Sequence, residues 1–484
     1  MDVAPQTAPD LLLEGAITRE DHETYRALPF DVPEGVLRIT VAFEYERVHR
    51  TTIDLGLLDT RGFRGWSGGD KSLITLSAED ATPSYLPGPI PAGRWSLLLG
   101  IPNIRRGVRA AYAARIYFSH SVAAPRVSTF SDHPLKTGAA WYRGDLHMHT
   151  AHSDGGCCSQ SGERAPSPLY RSVEAAAARG LDFIAITDHN TTSHFHAMRE
   201  LQPAFDQLLL IPGREITTFH GHANIFGPTG FIDFRLGDPH LHDADALCDA
   251  SEAVGGLLAV NHPCLPSGEM CMGCGWTAPA TDFSRVQAIE VANGGAERFM
   301  GGEEGPFSGI PFWHSRLNEG HRITGIGGSD NHDASLARDV FSAIGMPTTV
   351  IWAECLSEAA ILEGIRLGRV AIDLDGTNEA RLDLTARAGD RMAMMGGELA
   401  TAAGDEVAFE AEVTAPAAGR LEVIMDGEAV TGPMDPATSP GTTTLAFTLR
   451  ADGASHWVRL NVRDEAGRLA LIGNPIYLTV PERA

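Results

Sequence analysis

At 484 residues the chain exceeds what one hydrophobic core usually holds, so two or three domains are expected. A composition of 43% hydrophobic and 21% charged residues excludes a largely disordered polymer. The formal net charge of −24 excludes a nucleic-acid duplex as the main partner, since that partner calls for a basic surface.

The N-terminal stretch MDVAPQTAPDLLLEG has no basic segment and no long apolar core, so no signal peptide is expected. The absence of a window of about 18 apolar residues speaks against a membrane span. Seven cysteines, an odd number, fit a reduced cytoplasmic protein better than a disulfide framework.

From about residue 35 to 122, short alternating runs such as VLRITVAFEYE and AAYAARIYFS predict a small antiparallel sandwich, domain 1–137, with a linker over 131–137. From Trp141 the pattern changes to apolar runs alternating with helical segments such as PLYRSVEAAAARG and LSEAAILEGIRLGR, each ending near a glycine. About seven such units predict an α/β barrel over 141–379. Period-two alternation returns in EVAFEAEVTA, GRLEVIMDG and HWVRLNVRD, which predicts a second all-β domain over 380–484. The whole is thus read as α/β plus β, a central barrel flanked by two sandwich-like domains.

Polar residues close nearly every apolar run of the middle region. GDLHMHTAHSDG carries His147 and His149, whose spacing of two on a strand turns both imidazoles to one face, with Asp154 in the turn beyond. FIAITDHN ends in Asp188 and His189, and LLLIPGREI in Glu215 with His220 and His222 just after. LLAVNHP ends in His262, and ITGIGGSDNH in Asp330 and His332. In a parallel barrel these strand ends share one rim, where active sites assemble. Any one histidine has an ordinary structural explanation, but so many at one rim point to a metal centre. Mixed nitrogen and oxygen donors suit Zn, Mn or Fe, and their number implies two or three divalent metal ions.

These motifs, HMHTAHSDG, TDHN, GREI with the following GH, NHP and SDNH, resemble the PHP (polymerase and histidinol phosphatase) domain over roughly residues 141–375. With a β-domain on either side, the chain looks like the CehA/McbA branch of PHP-type metallohydrolases. The resemblance implies a distorted (β/α)7 barrel and a trinuclear centre. The ligands it implies are His147, His149, Asp154, His189, Glu215, His222, His262, Asp330 and His332, with Glu215 bridging. His222 is taken over His220 on the family's GH pattern. Barrels of the amidohydrolase type bridge two metals with a carboxylated lysine. The only lysines here, Lys71 and Lys136, precede the motifs, which excludes that version.

The expected function is a metal-dependent hydrolase, foremost a phosphoesterase for a mono- or diester, using a metal-bridging hydroxide as nucleophile. The substrate is then a small, anionic ester. Arg143, Arg214 and Arg298 are candidates to contact its phosphate, each weighed against a structural role. His194 is the candidate general acid, with His152 and His220 competing. Asp145 and Asp188 are expected to orient ligand histidines. Cys264, Cys271 and Cys274 allow a structural zinc with Cys157 or Cys158, but reduced thiols in a glycine-rich loop over 263–281 are the simpler expectation.

A carboxylic or carbamate ester is the alternative substrate, because Trp276, Phe299, Phe307, Phe312 and Trp313 fall in rim-side loops. A non-catalytic metal-bound scaffold is the third reading. A homo-oligomer fits any of them.

Overall fold

The structure is a computed structural model and describes residues 8–69, 71–78, 81–120, 133–239, 241–267, 273–299, 304–430 and 436–481. It divides into two compact units, one of Met1–Asp132 with Phe195–Ala204 and Thr229–Phe231, the other of the remaining chain.

In the first unit, strands such as Tyr25–Val32 and Thr52–Asp59 alternate buried and more exposed side chains, so each buries one face. One antiparallel sheet runs in the order Leu11–Ile17, Ala110–Ser119, Arg38–Tyr45, Leu73–Ser77. The other runs Tyr25–Val32, Gly93–Asn103, Thr52–Asp59, Gly62–Ser67. Both contribute to one core, in which Ile39, Val41, Leu55, Leu57, Trp95 and Leu97 are buried. Of the expected linker over 131–137, residues 131 and 132 lie outside the described residues, and Lys136 already begins a strand.

That strand, β1 (Lys136–Asp145), opens the second unit. It is followed by β2 (Phe183–Ile186), β3 (Leu209–Thr218), β4 (Gly221–Phe226), β5 (Leu257–Val260), β6 (Ala288–Asn293), β7 (Thr324–Gly328), β8 (Thr348–Leu356) and β9 (Val370–Asp373). β2, β5 and β6 are buried along their whole length, as strands covered on both sides must be. The helices from β1 onward are α1 (Leu169–Ala178), α2 (His194–Leu201), which from Phe195 belongs to the first unit, α3 (Ala244–Ala253), α4 (Gly294–Phe299), α5 (Ile310–Asn318) and α6 (Glu358–Arg366). Asp243 and Ser357 cap α3 and α6 by accepting the Ala246 and Ala360 N–H groups.

The result is mixed α/β but richer in strand pairing than an alternation of βα units would be. β1, β2 and β3 pair in parallel, as do β5, β6 and β7. Between these sets β4 runs antiparallel to both neighbours, joined to β3 by a tight turn. Gly221 serves that turn with φ +141, and a Cβ there would strike Trp276. β8 returns antiparallel along the free side of β1, and β9 antiparallel along β8. Beyond β1 and β7 a parallel bridge joins Met148 to Asn331, bringing the first and seventh strand ends together.

The C-terminal strands continue the same sheet. β9 pairs with Leu469–Gly473, which leads on to His456–Asp464 and Gly419–Met425. A separate antiparallel sheet of Arg391–Met394, Arg381–Ala388, Glu406–Ala415 and Gly441–Arg450 shares a core with it. Glu406–Ala415 alternates exposed and buried residues, and Phe409 stacks on Phe447 with ring centroids 4.8 Å apart. Among the described residues no helix is long and apolar enough to cross a membrane.

Candidate metal centre

The polar strand ends converge. His147 and His149 follow β1 with Met148 between them, and all three are buried. The Asp145 carboxylate accepts the backbone N–H groups of His147, Ser329 and Gly345, which ties the ends of β1 and β7 together. Asp188 accepts from the Thr150 N–H and hydroxyl and from Ser153 Oγ. Both carboxylates therefore hold backbone and loop, not the ligand imidazoles they were expected to orient.

Glu215 on β3 lies at the middle of the cluster. Its Oε1 is 3.4 Å from His147 Nε2, 3.4 Å from His262 Nε2 and 3.2 Å from His222 Nδ1. Asn261 Nδ2 donates to the same oxygen at 2.9 Å. Glu215 Oε2 lies 2.7 Å from His189 Nδ1 and 3.7 Å from His149 Nε2. Asp330 Oδ1 is 3.1 Å from His149 Nε2 and 3.4 Å from both His147 Nε2 and His332 Nδ1. At the outer edge Asp154 Oδ1 is 3.3 Å from His332 Nε2 and 3.6 Å from His189 Nε2. His262 and Asp330 hold φ of +25° and +49°, values that side chains other than glycine adopt only when their surroundings enforce them.

Three overlapping groups of donor atoms could each hold a metal ion: His149, Asp154, His189 and His332; His147, His149 and Asp330; His147, Glu215 and His262. His222 stands outside these groups but faces Glu215. His220, two residues earlier, is exposed on the turn. The donors suit the ions expected from sequence, since imidazole and carboxylate together bind Zn, Mn or Fe. Four buried nitrogens of the cluster, His147 Nε2, His149 Nδ1 and both of His222, make no hydrogen bond among the described residues, although buried polar atoms seldom go unpaired.

The electrostatics are those of a charge cluster balanced by its own protons. Burial would raise Glu215 and Asp330, but the surrounding imidazoles hold both carboxyls well below their usual range. Burial would lower His147, His189 and His262, yet Glu290 first, with Asp330 and Glu215, raises His147, and Glu215 chiefly raises the other two. For His332, burial opposes and Asp330 with Asp154 prevail, lifting it to about 9. Burial, with His332 and His189 adding to it, takes His149 down to about 4, so it is neutral. Bound divalent cations would displace these protons, as is general when ionisable ligands take up a metal.

The other expected site residues fall elsewhere. Arg143 does not join the cluster, because its guanidinium is engaged by the Asp373 carboxylate and the Thr377 and Ala380 carbonyls. Arg214 alternates with Glu215 on β3 and is buried, its charge acting on His194. The Arg298 side chain lies outside the described residues, as do Cys271 and the Phe299 side chain. His194 is fully buried, with Nε2 on the Gly213 carbonyl, and burial lowers it to about 4. It is thus shielded from solvent, where the sequence placed a candidate general acid. His152 is half-buried and hydrogen-bonds through Nδ1 to Ser193 Oγ at 2.8 Å. In the loop over 263–281, Cys264 is a free thiol and Cys274 is disulfide-bonded, so neither a thiolate zinc nor a set of reduced thiols describes it. The Cys274 carbonyl instead lies 3.2 Å from His262 Nδ1.

Sequence reasoning missed Glu290, 2.9 Å from His147 Nδ1, with Asn293 donating to it, and Asn261, which donates to Glu215. The signal was present: an acidic residue inside the apolar run AIEVAN must find buried partners.

Neither a protein-family model nor a curated protein matches the chain. Among solved structures, it is similar to a two-domain protein of Bacteroides vulgatus containing a predicted PHP-like metal-dependent phosphoesterase. That similarity has 18% identity and a TM-score of 0.38, over 70% of this chain and 96% of that one. It is also similar to a Bifidobacterium adolescentis protein assigned by inference as a metal-dependent phosphoesterase, at 16% identity and TM-score 0.27, over 39% of this chain and 87% of that one. Fibronectin(III)-like modules of Clostridium thermocellum CbhA match 17% of this chain and 86% of their own, at 14% identity and TM-score 0.14. None of these likenesses reaches a TM-score of 0.5, so the functional reading rests on the site's own residues.

Proposed function

We propose that the chain is a metal-dependent hydrolase of the PHP type, CehA/McbA-like, that cleaves a phosphoester. The observation that carries this reading is the approach of five imidazoles to one buried carboxylate, Glu215, with Asp330 and Asp154 closing the outer side. In this reading the strands from β1 to β7 form a distorted (β/α)7 barrel, residues 1–137 and 380–484 being the flanking β-domains. Two or three Zn, Mn or Fe ions, held by the nine ligands from His147 to His332, would activate a water as nucleophile and polarise the ester oxygen.

The chain's own groups then have separate tasks. Glu215 and Asp330 gather the imidazoles, while Asp154, the most exposed of the three carboxylates, faces the entrance. His152, anchored through Nδ1 to Ser193, has Nε2 left to hand a proton to the leaving group, a role that burial denies to His194. A carboxylic or carbamate ester is the second reading. It is favoured by the engagement of Arg143 away from the cluster and by Phe219, 84% exposed on the turn between Glu215 and His222.

The test combines metal content with turnover of p-nitrophenyl phosphate, its bis-ester, and an aryl ester or carbamate, beside His262→Ala. Phosphate turnover that vanishes in the variant supports the proposal. Turnover confined to the aryl ester or carbamate moves the assignment to the second reading, and metal-replete protein inert on every ester refutes both.

A further inference from the structure

Glu290 on β6 is 2% exposed, between apolar neighbours. A carboxylate removed from water in this way needs several donors. His147 Nδ1 lies 2.9 Å from its Oε1, while the His262 N–H and Asn293 Nδ2 donate to Oε2 at 3.1 and 2.8 Å. Asn293 Nδ2 also reaches Asp330 Oδ2 at 3.4 Å, and its Oδ1 accepts the Ala296 N–H at the start of α4. The β7 backbone makes room for this arrangement, since a Cβ on Gly328 would stand 2.5 Å from Glu290 Oε1.

The consequence for His147 is chemical as well as geometric. A carboxylate oxygen that accepts from Nδ1, with its fellow oxygen accepting from two further N–H donors, keeps an imidazole proton on Nδ1. When a cation displaces the other imidazole proton, the lone pair is left on Nε2, the atom 3.4 Å from both Glu215 Oε1 and Asp330 Oδ1. The bond to the His262 N–H holds the residue whose φ is +25°. His262 in turn has Nδ1 on the Cys274 carbonyl, leaving its Nε2 towards Glu215.

We infer that Glu290 is a positioning residue of the metal centre, which fixes the tautomer and aim of His147 and the backbone of His262 in one carboxylate. Through Asn293 it also steadies Asp330. This rests on the metal-hydrolase reading above. Both oxygens of Glu290 are taken by these donors, so its action is exerted through the ligands and not on the ion.

Two substitutions separate placement from charge. Glu290→Gln keeps the shape but turns an amide NH2 towards a donor. Glu290→Asp keeps the charge and withdraws it by one methylene. Zn2+ and Mn2+ affinities of the full chain are measured by competition with a chelating dye, beside the melting temperature of the metal-free protein and the visible spectrum of the Co2+ form. Both variants are expected to bind more weakly by roughly 10- to 100-fold, the usual effect of losing a partner of a ligand histidine, with an altered Co2+ spectrum. If Glu290→Gln does not fold, Asn293→Ser carries the test, with a smaller loss of affinity and the same spectral change expected. Wild-type affinity and spectrum in Glu290→Asp would overturn the inference, because charge alone would then suffice. A wild-type chain that binds neither ion removes the hydrolase reading itself, before any variant is compared.

Discussion

Two buried sets of charge in the second unit are built on opposite plans. At the end of β1, Arg143 meets one carboxylate, Asp373, and two backbone carbonyls, so a single cation is matched locally by a single anion. Around Glu215 the partners are many and shared, and each carboxylate oxygen faces several imidazole nitrogens. The one-to-one pair has its charge matched and its two terminal nitrogens bonded, with only Arg143 Nε left without a hydrogen bond. A cluster in which four buried imidazole nitrogens make no hydrogen bond is arranged for something that supplies more positive charge than protons do.

The largest effect that would sharpen this contrast is expected from Glu215→Gln. It should lower metal content and cut turnover by more than about 100-fold, beyond the range of a positioning residue. Retention of both would show that Glu215 is not the centre of the cluster.

Arg143→Met should act on stability instead, costing roughly 3–5 kcal/mol by leaving Asp373 buried without its cation. Metal content of the folded fraction should stay at the wild-type level. The effect should depend on pH. Burial raises Asp373 to about 6 even though Arg143 opposes it. Its folded pKa thus lies above the unfolded value of about 3.9, so its contribution to stability is greatest in acid and declines as pH rises towards 6. Without Arg143 the pKa rises further, so the urea midpoints of variant and wild type should differ more at pH 8 than at pH 5. A difference that does not vary with pH would break the account of this pair. The smallest effect is expected from Phe219→Ala at an 84% exposed position: a change of a few-fold in KM for aryl substrates, with an unchanged melting temperature.

Most of the polar residues gathered around Glu215 were legible in the sequence because they close apolar runs, while His222 opens β4 and Asp154 lies in a turn. The period-two alternation of the N- and C-terminal regions was legible for a similar reason. What the sequence concealed is pairing. Nothing in GHANIF shows that it runs antiparallel to β3 and β5, since alternation reports which face is buried and not which strand lies alongside. The same limit hid the continuation of the sheet from β9 into Leu469–Gly473. Arg143 shares its strand with the H-x-H motif, so proximity in sequence suggested the rim, yet its partners, Asp373, Thr377 and Ala380, lie more than two hundred residues away. The complete burial of His194 was not legible either, because a position at the head of a helix gives no sign of it.

The direct pairing of β9 with Leu469–Gly473 bears on how this protein can be cut and rebuilt. A chain ended near residue 380 would leave β9 with an open row of amides and carbonyls beside buried Val370, Ala371 and Ile372, the kind of edge that recruits other chains. The last hundred residues of the chain are therefore a structural seal on the sheet that carries the candidate metal centre, and a shortened chain would need a designed strand in their place.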